Sequence, residues 1–386
     1  MTYEKFINPA IAAVPPSGIR RFFDIAATMK DAISLGVGEP DFVTPYHIRN
    51  AAINSLLDGE TQYTGNRGMP ELLEEISWYL EHRYQTKYDP ATEIMVTVGA
   101  SEAIDVALRA LVSPGDEVLV PEPCFVSYAP IATLCGAVPV AIPCLAEDAF
   151  RLNAETLRAA ITPKTKALIF PFPNNPTGAV MRREHLEQIA AVLRETNVLV
   201  LSDEIYAELT YGGIKHVSIA SLPGMAERTV VVNGFSKAYA MTGWRLGYCC
   251  GPAPIIKQML KVHQYAIMCA PTTAQYAAIE ALRNGDASIQ KMVDEYDIRR
   301  RLITAELDRI GFPCFNPEGA FYCFPDIRKA GLSSEEFCGQ LLRQQHVAVV
   351  PGTAFGDCGE GFVRVSYCYS LEHLVEAVRR MERFCG

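Results

Sequence analysis

The chain has 386 residues, of which 49% are hydrophobic and 20% charged, and its formal net charge is −9 at pH 7. A chain longer than about 250–300 residues normally divides into more than one domain, so we expect two. The acidic balance argues against nucleic acid as a partner, and no apolar run is long enough to span a membrane, so we expect a cytoplasmic protein.

The twelve cysteines and seven histidines do not have the spacing of a disulfide framework or a metal site. No pair of cysteines is arranged as C-x-x-C, and no pair of histidines as H-x-x-x-H. Many of the cysteines lie inside apolar runs. We therefore expect reduced cysteines that act as small hydrophobic residues, and no metal.

Apolar, β-branched runs alternate with helix-length segments through most of the chain. The predicted strands are, in order, 93–98, 117–120, 138–142, 167–170, 198–201, 229–232 and 246–250. This alternation predicts an α/β fold with a mostly parallel central sheet flanked by helices.

After this region, apolar residues at helical spacing predict a helix over 288–310, and strands follow at 320–324 and 347–350. We expect a large domain over residues 46–287. A smaller α+β domain would comprise residues 1–45 plus 288–386, because the first segment has too few strands to fold alone.

Unusual polar residues follow several of the predicted strands. A Gly-Ala-Ser turn with Ala100 and Ser101 follows the first, Asn175 precedes a proline after the fourth, Asp203 ends the fifth and Lys237 follows the sixth. Ligands of α/β folds bind at such strand ends. Each residue also has an ordinary explanation, since glycine and Asn-Pro form turns and most lysines are exposed. A carboxylate beside a core is harder to explain without a partner.

Short motifs at these positions occur in a specific order along the chain. They are Asn175-Pro176-Thr177-Gly178, Asp203-Glu204-Ile205-Tyr206, Ser236-Lys237, Gly243-Trp244-Arg245-Leu246-Gly247 and finally Arg364. Together they resemble the class I/II aminotransferases of the fold-type I pyridoxal-phosphate enzymes, over essentially the whole chain. The resemblance implies the fold of a fold-type I transferase and pyridoxal 5'-phosphate as the cofactor.

The resemblance also implies roles for single residues around the cofactor ring. Lys237 would form the Schiff base, and Asp203 would pair with the pyridinium nitrogen. Tyr206 and Asn175 would hydrogen-bond the phenolic oxygen. Phe125 matches the aromatic residue that stacks on the ring, although from its own sequence context it is equally a core phenylalanine.

For the phosphate, the resemblance implies the backbone amides of Ala100 and Ser101, the Ser236 hydroxyl and the Arg245 guanidinium. Tyr63 matches a tyrosine that reaches the phosphate from the neighbouring subunit. A homodimer is therefore expected, with Tyr63 contributed across the interface. Without the resemblance, Tyr63 would be read as a loop tyrosine.

For the substrates, the resemblance implies that Arg364, with Gly38 and Asn175, binds the carboxylate of an amino acid or a 2-oxo acid. The expected reaction moves the amino group of an L-amino acid, such as aspartate or an aromatic one, to an acceptor such as 2-oxoglutarate by a ping-pong mechanism. The same residues would serve a C–S β-lyase of this fold. A sensor that binds the cofactor without turnover is a further alternative, but the chain has no basic DNA-binding module.

The choice of substrate side chain is not determined by the sequence. Arg20, Arg21 and Arg67 are candidates for a second cation that would bind a distal carboxylate, although each is equally a surface charge. Ile19, in a segment that resembles a mobile lid, is a candidate apolar contact.

Overall fold

The computed structural model describes residues 3–15, 29 and 31–385. Its strands are β1 (Ile33–Ser34), β2 (Ile94–Thr97), β3 (Glu117–Glu122), β4 (Val138–Pro143), β5 (Thr165–Pro171), β6 (Leu199–Asp203), β7 (Thr229–Gly234), β8 (Gly247–Cys250), β9 (Tyr322–Cys323), β10 (Val347–Ala348), β11 (Val350–Pro351) and β12 (Val363–Ser366). Each of the predicted strands overlaps an observed one.

The central sheet has the strand order β2-β8-β7-β6-β5-β3-β4. The strands β4, β3, β5, β6 and β7 are parallel to one another. Strand β8 is antiparallel to both of its neighbours, β7 and β2. The mostly parallel central sheet predicted from the sequence is therefore confirmed.

Helices cover both faces of this sheet. The α-helices of the described residues are α1 (Pro9–Ala13), α2 (Tyr46–Leu57), α3 (Pro70–Tyr84), α4 (Ala100–Leu111), α5 (Tyr128–Leu134), α6 (Ala154–Ala160), α7 (Arg183–Arg194), α8 (Ala253–Ala266), α9 (Thr272–Asn284), α10 (Asp286–Arg309), α11 (Ser334–Gln345) and α12 (Leu371–Cys385). The predicted helix over 288–310 corresponds to α10.

Side chains of the strands alternate between the two helical layers. In β7, Val230 and Val232 belong to the cluster packed by α4 and α8, while Val231 belongs to the cluster packed by α3 and α9. Because successive side chains of a strand point to opposite faces, a sheet covered on both sides needs continuous apolar strands. This requirement explains the uninterrupted Val-Val-Val run.

The C-terminal module contains a small antiparallel sheet of β11, β12 and β9. The predicted strand over 347–350 is two short strands, because the chain changes partners at Val349: β10 pairs with β1, and β11 pairs with β12. Helices α10, α11 and α12 pack on these strands around a shared aromatic core.

The segment that contains β1 is bound to the C-terminal module rather than to the central sheet. Besides the β1–β10 pairing, the Leu35 amide donates to the Ala348 carbonyl at 2.8 Å, and the Ser366 amide donates to the Leu35 carbonyl at 2.8 Å. These bonds bring Gly36 and Gly38 beside the strand ends of the central sheet. The domain boundaries at residues 46 and 288 stay predictions.

Within the described ranges, no helix has the length and apolar character needed to cross a membrane. The cysteines whose side chains are described are free thiols, and most of them are buried.

Candidate active site

A pocket of about 300 Å³ opens at the carboxyl ends of β5, β6 and β7, beside the N-terminus of α4. It brings together residues that are distant in sequence and that come from both the central sheet and the C-terminal module. The predicted site residues among its lining are Gly38, Ala100, Ser101, Phe125, Asn175, Asp203, Tyr206, Ser236, Lys237, Arg245 and Arg364.

At one end of the pocket, the first amides of α4 form a cradle for an anion. Gly99 precedes the helix with φ +79°, and a Cβ atom on Gly247 would lie 2.6 Å from the Ala100 nitrogen. Glycine at these positions lets β8 and the turn approach closely. Arg245 lies against the same turn, because a Cβ atom on Gly99 would be 2.7 Å from its Nη2.

The donors at this end are the α4 amides, the Ser236 hydroxyl and the Arg245 guanidinium, all of which line the pocket. A helix N-terminus favours negative charge, and a guanidinium matches the oxygens of a phosphate group. This donor set fits a phosphate.

Asp203 forms a buried acidic point in the pocket floor, where the residue is 6% exposed. Burial raises the pKa of its carboxyl group to about 6, against the effect of hydrogen bonds from the Tyr128 hydroxyl at 2.8 Å and the Ile205 amide at 3.2 Å. A cation opposite this carboxyl group would lower its pKa again and stabilise the carboxylate. Such a group is complementary to the protonated nitrogen of a pyridine ring.

Lys237 lies beyond the end of β7, and its Nζ donates a hydrogen bond to the Gly38 carbonyl at 2.8 Å. Burial lowers the pKa of this amine to about 8. Its Nζ lies 5.9 Å from the Tyr206 ring centroid and 5.8 Å from that of Phe321. A substantial fraction of the amine is therefore neutral near physiological pH, which is the form that attacks an aldehyde.

Arg364, on β12, is a buried cation that is only 3% exposed. Its Nη1 donates to Asn175 Oδ1 at 2.9 Å, its Nη2 donates to the Gly36 carbonyl, and its Nε has no hydrogen-bond partner in the described part of the chain. The guanidinium also lies against the rings of Tyr322 at 4.5 Å and Phe355 at 4.8 Å. Among the described residues it forms no ion pair, so its charge is available to an anionic ligand entering the pocket.

Two tyrosines of this site were not singled out in the sequence. Tyr128 donates to Asp203 and meets Phe125 edge to face with a centroid distance of 5.6 Å. Tyr322 lines the pocket, with its hydroxyl 2.8 Å from that of Tyr206. For Tyr128, its closeness to Phe125 in the sequence is a weak signal. For Tyr322 there is no such signal, because its contact with Tyr206 joins residues that are far apart in the chain.

The other predicted residues lie elsewhere. Tyr63 is 80% exposed and does not line the pocket of its own chain. Arg67 donates to a main-chain carbonyl and is likewise not part of the lining. Ile19, Arg20 and Arg21 lie outside the described residues.

The chemistry of the pocket fits the cofactor implied by the resemblance. It combines an anion cradle, a buried carboxyl group, an amine with a lowered pKa and the Phe125 ring. Pyridoxal phosphate carries a phosphate, a pyridine nitrogen, an aldehyde and an aromatic ring, each of which has a counterpart here. Arg364 remains for a further anion.

Comparison with known proteins gives matches over nearly the whole chain. Residues 30–381 match the family model described as aminotransferase class I and II. A putative aminotransferase, YugH, of Bacillus subtilis is 52% identical over 98% of both chains. An aspartate aminotransferase of Pyrococcus abyssi is 50% identical over 96% of both chains.

A solved structure is similar at the level of the fold as well. The aromatic aminotransferase from Pyrococcus horikoshii superposes with a TM-score of 0.90 at 48% identity, covering 94% of this chain and 98% of that one. The architecture is therefore that of the fold-type I aminotransferases, as the sequence resemblance implied.

The lowered pKa of Lys237 predicts its reactivity in the cofactor-free protein. A small aromatic aldehyde, trapped with cyanoborohydride, should label Lys237 at a rate that rises with pH around a midpoint near 8, because only the neutral amine attacks. Peptide mapping by mass spectrometry measures the rate. Nα-acetyl-lysine in the same vessel is the control, with a midpoint at about 10.4. A shared midpoint for the two amines would refute the prediction.

Proposed function

The chain belongs to the aminotransferase class I and II family, and on that premise we propose that it is a pyridoxal-phosphate enzyme acting on aspartate or an aromatic amino acid. The amino group would pass to a 2-oxo acid such as 2-oxoglutarate in a ping-pong sequence. Both donor types come from the names of similar proteins, an aspartate aminotransferase and an aromatic aminotransferase. The free, mostly buried cysteines fit a location in the reducing cytoplasm.

The observation that carries this proposal is the buried cation of Arg364 beside the amine of Lys237. An arginine in an apolar strand is costly to desolvate, and the Nε of this one has no hydrogen-bond partner within the residues that the structure describes. The carboxylate that amino acids and 2-oxo acids share would neutralise it. Because the Gly36 and Gly38 carbonyls bond Arg364 and Lys237 respectively, a carboxylate bound at Arg364 is held near the amine.

The residues of the pocket would hold pyridoxal phosphate at three points. The α4 amides of Ala100 and Ser101, with Ser236 and Arg245, would bind the phosphate, and Lys237 would attach the cofactor covalently through Nζ. Phe125 would pack on the ring. When bound, the cofactor supplies an electron sink for the negative charge that develops at the substrate Cα.

Asp203 would maintain that electron sink. Burial raises its pKa to about 6 in the ligand-free pocket, so the carboxylate is disfavoured there relative to an exposed aspartate, although it is still the main form at neutral pH. A protonated ring nitrogen opposite it would favour the carboxylate, and the carboxylate would in turn keep that nitrogen protonated. The Tyr128 hydroxyl orients the carboxyl group for this contact. Tyr206 and Asn175 would hydrogen-bond the phenolic oxygen.

Lys237 would move the proton. Burial lowers the pKa of its Nζ to about 8, so a far larger fraction of this amine is neutral at physiological pH than of an exposed lysine. The neutral amine would take a proton from the substrate Cα, and the resulting ammonium would hold that proton at Nζ until it is returned. The Gly38 carbonyl accepts a hydrogen bond from the same nitrogen and restricts its position.

We also propose a homodimer in which Tyr63 completes the partner's phosphate site. Tyr63 is 80% exposed, and the loop that carries it is bound to a second exposed segment: Thr272 donates to the Gln62 carbonyl, and Asn66 donates to the Met268 carbonyl. Large apolar residues are exposed around this region, namely Tyr46, Ile53, Leu56, Leu57, Tyr265, Ile267 and Met268. Exposed large apolar residues in such number are typical of a subunit interface.

The function is tested by supplying the protein with pyridoxal phosphate, 2-oxoglutarate and a panel of L-amino acids. We expect aspartate or an aromatic amino acid to give the highest kcat/KM, with equal amounts of 2-oxo acid and glutamate formed. The products are measured by chromatography. Ammonia and pyruvate formed from a C–S substrate in place of these products would identify a lyase, and cofactor binding without products would identify a sensor.

The control for this assay is Lys237→Ala, which removes both the covalent attachment and the base. It should leave the fold intact, abolish turnover and prevent borohydride from fixing the cofactor to the protein. Fixation at a different lysine would contradict the assignment.

Arg364→Lys keeps the positive charge but loses the planar pair of donors. We expect KM for amino acids and for 2-oxo acids to rise about 10- to 100-fold, the effect of losing a charge-assisted hydrogen bond, with a smaller change in kcat. Steady-state kinetics with each substrate measure both. Arg245→Lys is the matched control, since it should instead weaken cofactor binding. Equal KM values for wild type and Arg364→Lys would place the carboxylate elsewhere.

The dimer is tested with hybrids of two inactive or weakened chains. Tyr63→Phe alone should weaken cofactor binding about tenfold or more, because it removes a hydrogen bond to a charged group. A hybrid of one Tyr63→Phe chain and one Lys237→Ala chain contains one site with both native residues only if Tyr63 acts across the interface.

The two chains are co-expressed with different affinity tags, and the hybrid is isolated by sequential purification. We expect its active site to bind pyridoxal phosphate with wild-type affinity. An affinity equal to that of the Tyr63→Phe homodimer would mean that Tyr63 acts within its own chain or that the site is complete in a monomer.

A further inference from the structure

Tyr322 lies at the junction of the groups that bind cofactor and substrate. It is 1% exposed, at the start of β9. Its hydroxyl is 2.8 Å from that of Tyr206, and its ring centroid is 4.5 Å from the Arg364 guanidinium. The hydroxyl also packs against Gly38, where a Cβ atom would collide with it. One side chain thus contacts residues of the sheet, the C-terminal module and the N-terminal segment.

The direction of the hydrogen bond between the two phenols depends on whether the Tyr206 hydroxyl donates its own proton into the pocket. Tyr206 is the one hydrogen-bond partner of the Tyr322 hydroxyl among the described residues. Burial raises the pKa of both phenols, so both are protonated at neutral pH. Two hydroxyl groups carry two protons, but only one proton lies between the two oxygens. If Tyr206 donates into the pocket, the shared proton must belong to Tyr322.

We propose, resting on the aminotransferase function proposed above, that Tyr322 is a positioning residue: its hydroxyl donates to Tyr206 and thereby directs the Tyr206 proton into the pocket, towards the phenolic oxygen of the cofactor. Cooperative hydrogen bonds strengthen one another, so a donor behind Tyr206 makes Tyr206 itself a better donor.

The charged and titratable groups around the pair favour this direction. Arg364 lies against the ring of Tyr322, where its positive charge draws electron density from the ring and makes the hydroxyl a stronger donor. The ring of Tyr206 faces the Nζ of Lys237. Burial and Tyr322 raise the pKa of the Tyr206 hydroxyl, while on the C-terminal module Arg364 lowers that pKa and Cys368 raises it.

A purely structural role would not require the hydroxyl. Phenylalanine would fill the same space in the aromatic cluster and would still pack against the Arg364 guanidinium. A buried hydroxyl costs free energy unless it forms a hydrogen bond, and the bond that it forms here ends on a proposed cofactor ligand.

The test compares wild type, Tyr322→Phe, Tyr206→Phe and the double variant. Two quantities are measured: the dissociation constant of pyridoxal phosphate from the protein, and the midpoint of the pH-dependent absorbance of the holoenzyme. We expect Tyr206→Phe to weaken binding by about 10- to 100-fold and Tyr322→Phe by about three- to tenfold. The midpoint should move in the same direction in both variants, and less in Tyr322→Phe.

The double variant decides whether Tyr322 acts through Tyr206. If it does, adding Tyr322→Phe to Tyr206→Phe changes neither the dissociation constant nor the midpoint further, since the group it acts on is gone. Additive effects in the double variant would overturn the inference. Wild-type values for both quantities in Tyr322→Phe would also overturn it.

Tyr296→Phe is the matched control, because the Tyr296 hydroxyl is fully buried in the same core and has no hydrogen-bond partner among the residues described. It should leave both quantities unchanged. Tyr322→Leu separates the ring from the hydroxyl: it should also raise KM for the carboxylate substrates, because Arg364 loses the ring beside it, whereas Tyr322→Phe should not.

A failure of this inference is distinguishable from a failure of the proposed function. Wild-type protein that binds no pyridoxal phosphate and forms no 2-oxo acid would refute the function. Wild-type protein that does both, together with a Tyr322→Phe variant indistinguishable from it, would refute only the role of Tyr322.

Discussion

The site depends on ionisable groups that are withdrawn from water without counter-ions. Arg364 and Asp203 are buried, Lys237 is half-buried, and among the described residues none of the three forms an ion pair. Removing such groups from water is unfavourable, and the pKa shifts of Lys237 and Asp203 towards their neutral forms express that cost. A ligand that brings an anion to Arg364 and a cation to Asp203 relieves it. Ligand binding and stability of the folded state are therefore coupled.

Burial of the central sheet offsets the free-energy cost of these groups, because its strands are buried on both faces independently of the pocket. Val230, Val231 and Val232 pack into helices on opposite sides, and Lys237 follows a few residues later. The carboxyl ends of parallel strands meet at one edge, so polar residues placed after separate strands converge there. The core thus supplies the stability that the charged pocket lacks.

The same geometry explains which parts of the site the sequence could predict. Asn175, Asp203 and Lys237 each follow an apolar run, so their shared position at the strand ends could be inferred from local patterns. Tyr322 could not be inferred in this way and Tyr128 only weakly, since each makes its hydrogen bond in the site with a residue far away in the chain. The split of residues 347–350 into β10 and β11 is similar, because strand partners are set by tertiary contacts.

The N-terminal segment connects Arg364 with Lys237. The Gly36 carbonyl accepts a hydrogen bond from Arg364, and the Gly38 carbonyl accepts one from Lys237. Farther along the segment, Arg299 Nη1 on α10 donates to both carboxylate oxygens of Asp41 at 2.8 Å. Arg299 is buried whereas Asp41 is exposed, so the ion pair lies at the surface end of this contact and connects the segment to the C-terminal module. A carboxylate that reaches Arg364 competes with the Gly36 carbonyl for the same donors. The Gly36 carbonyl is only two residues from the Gly38 carbonyl that bonds Lys237, so an anion bound at Arg364 would be mechanically linked to the position of the Lys237 amine.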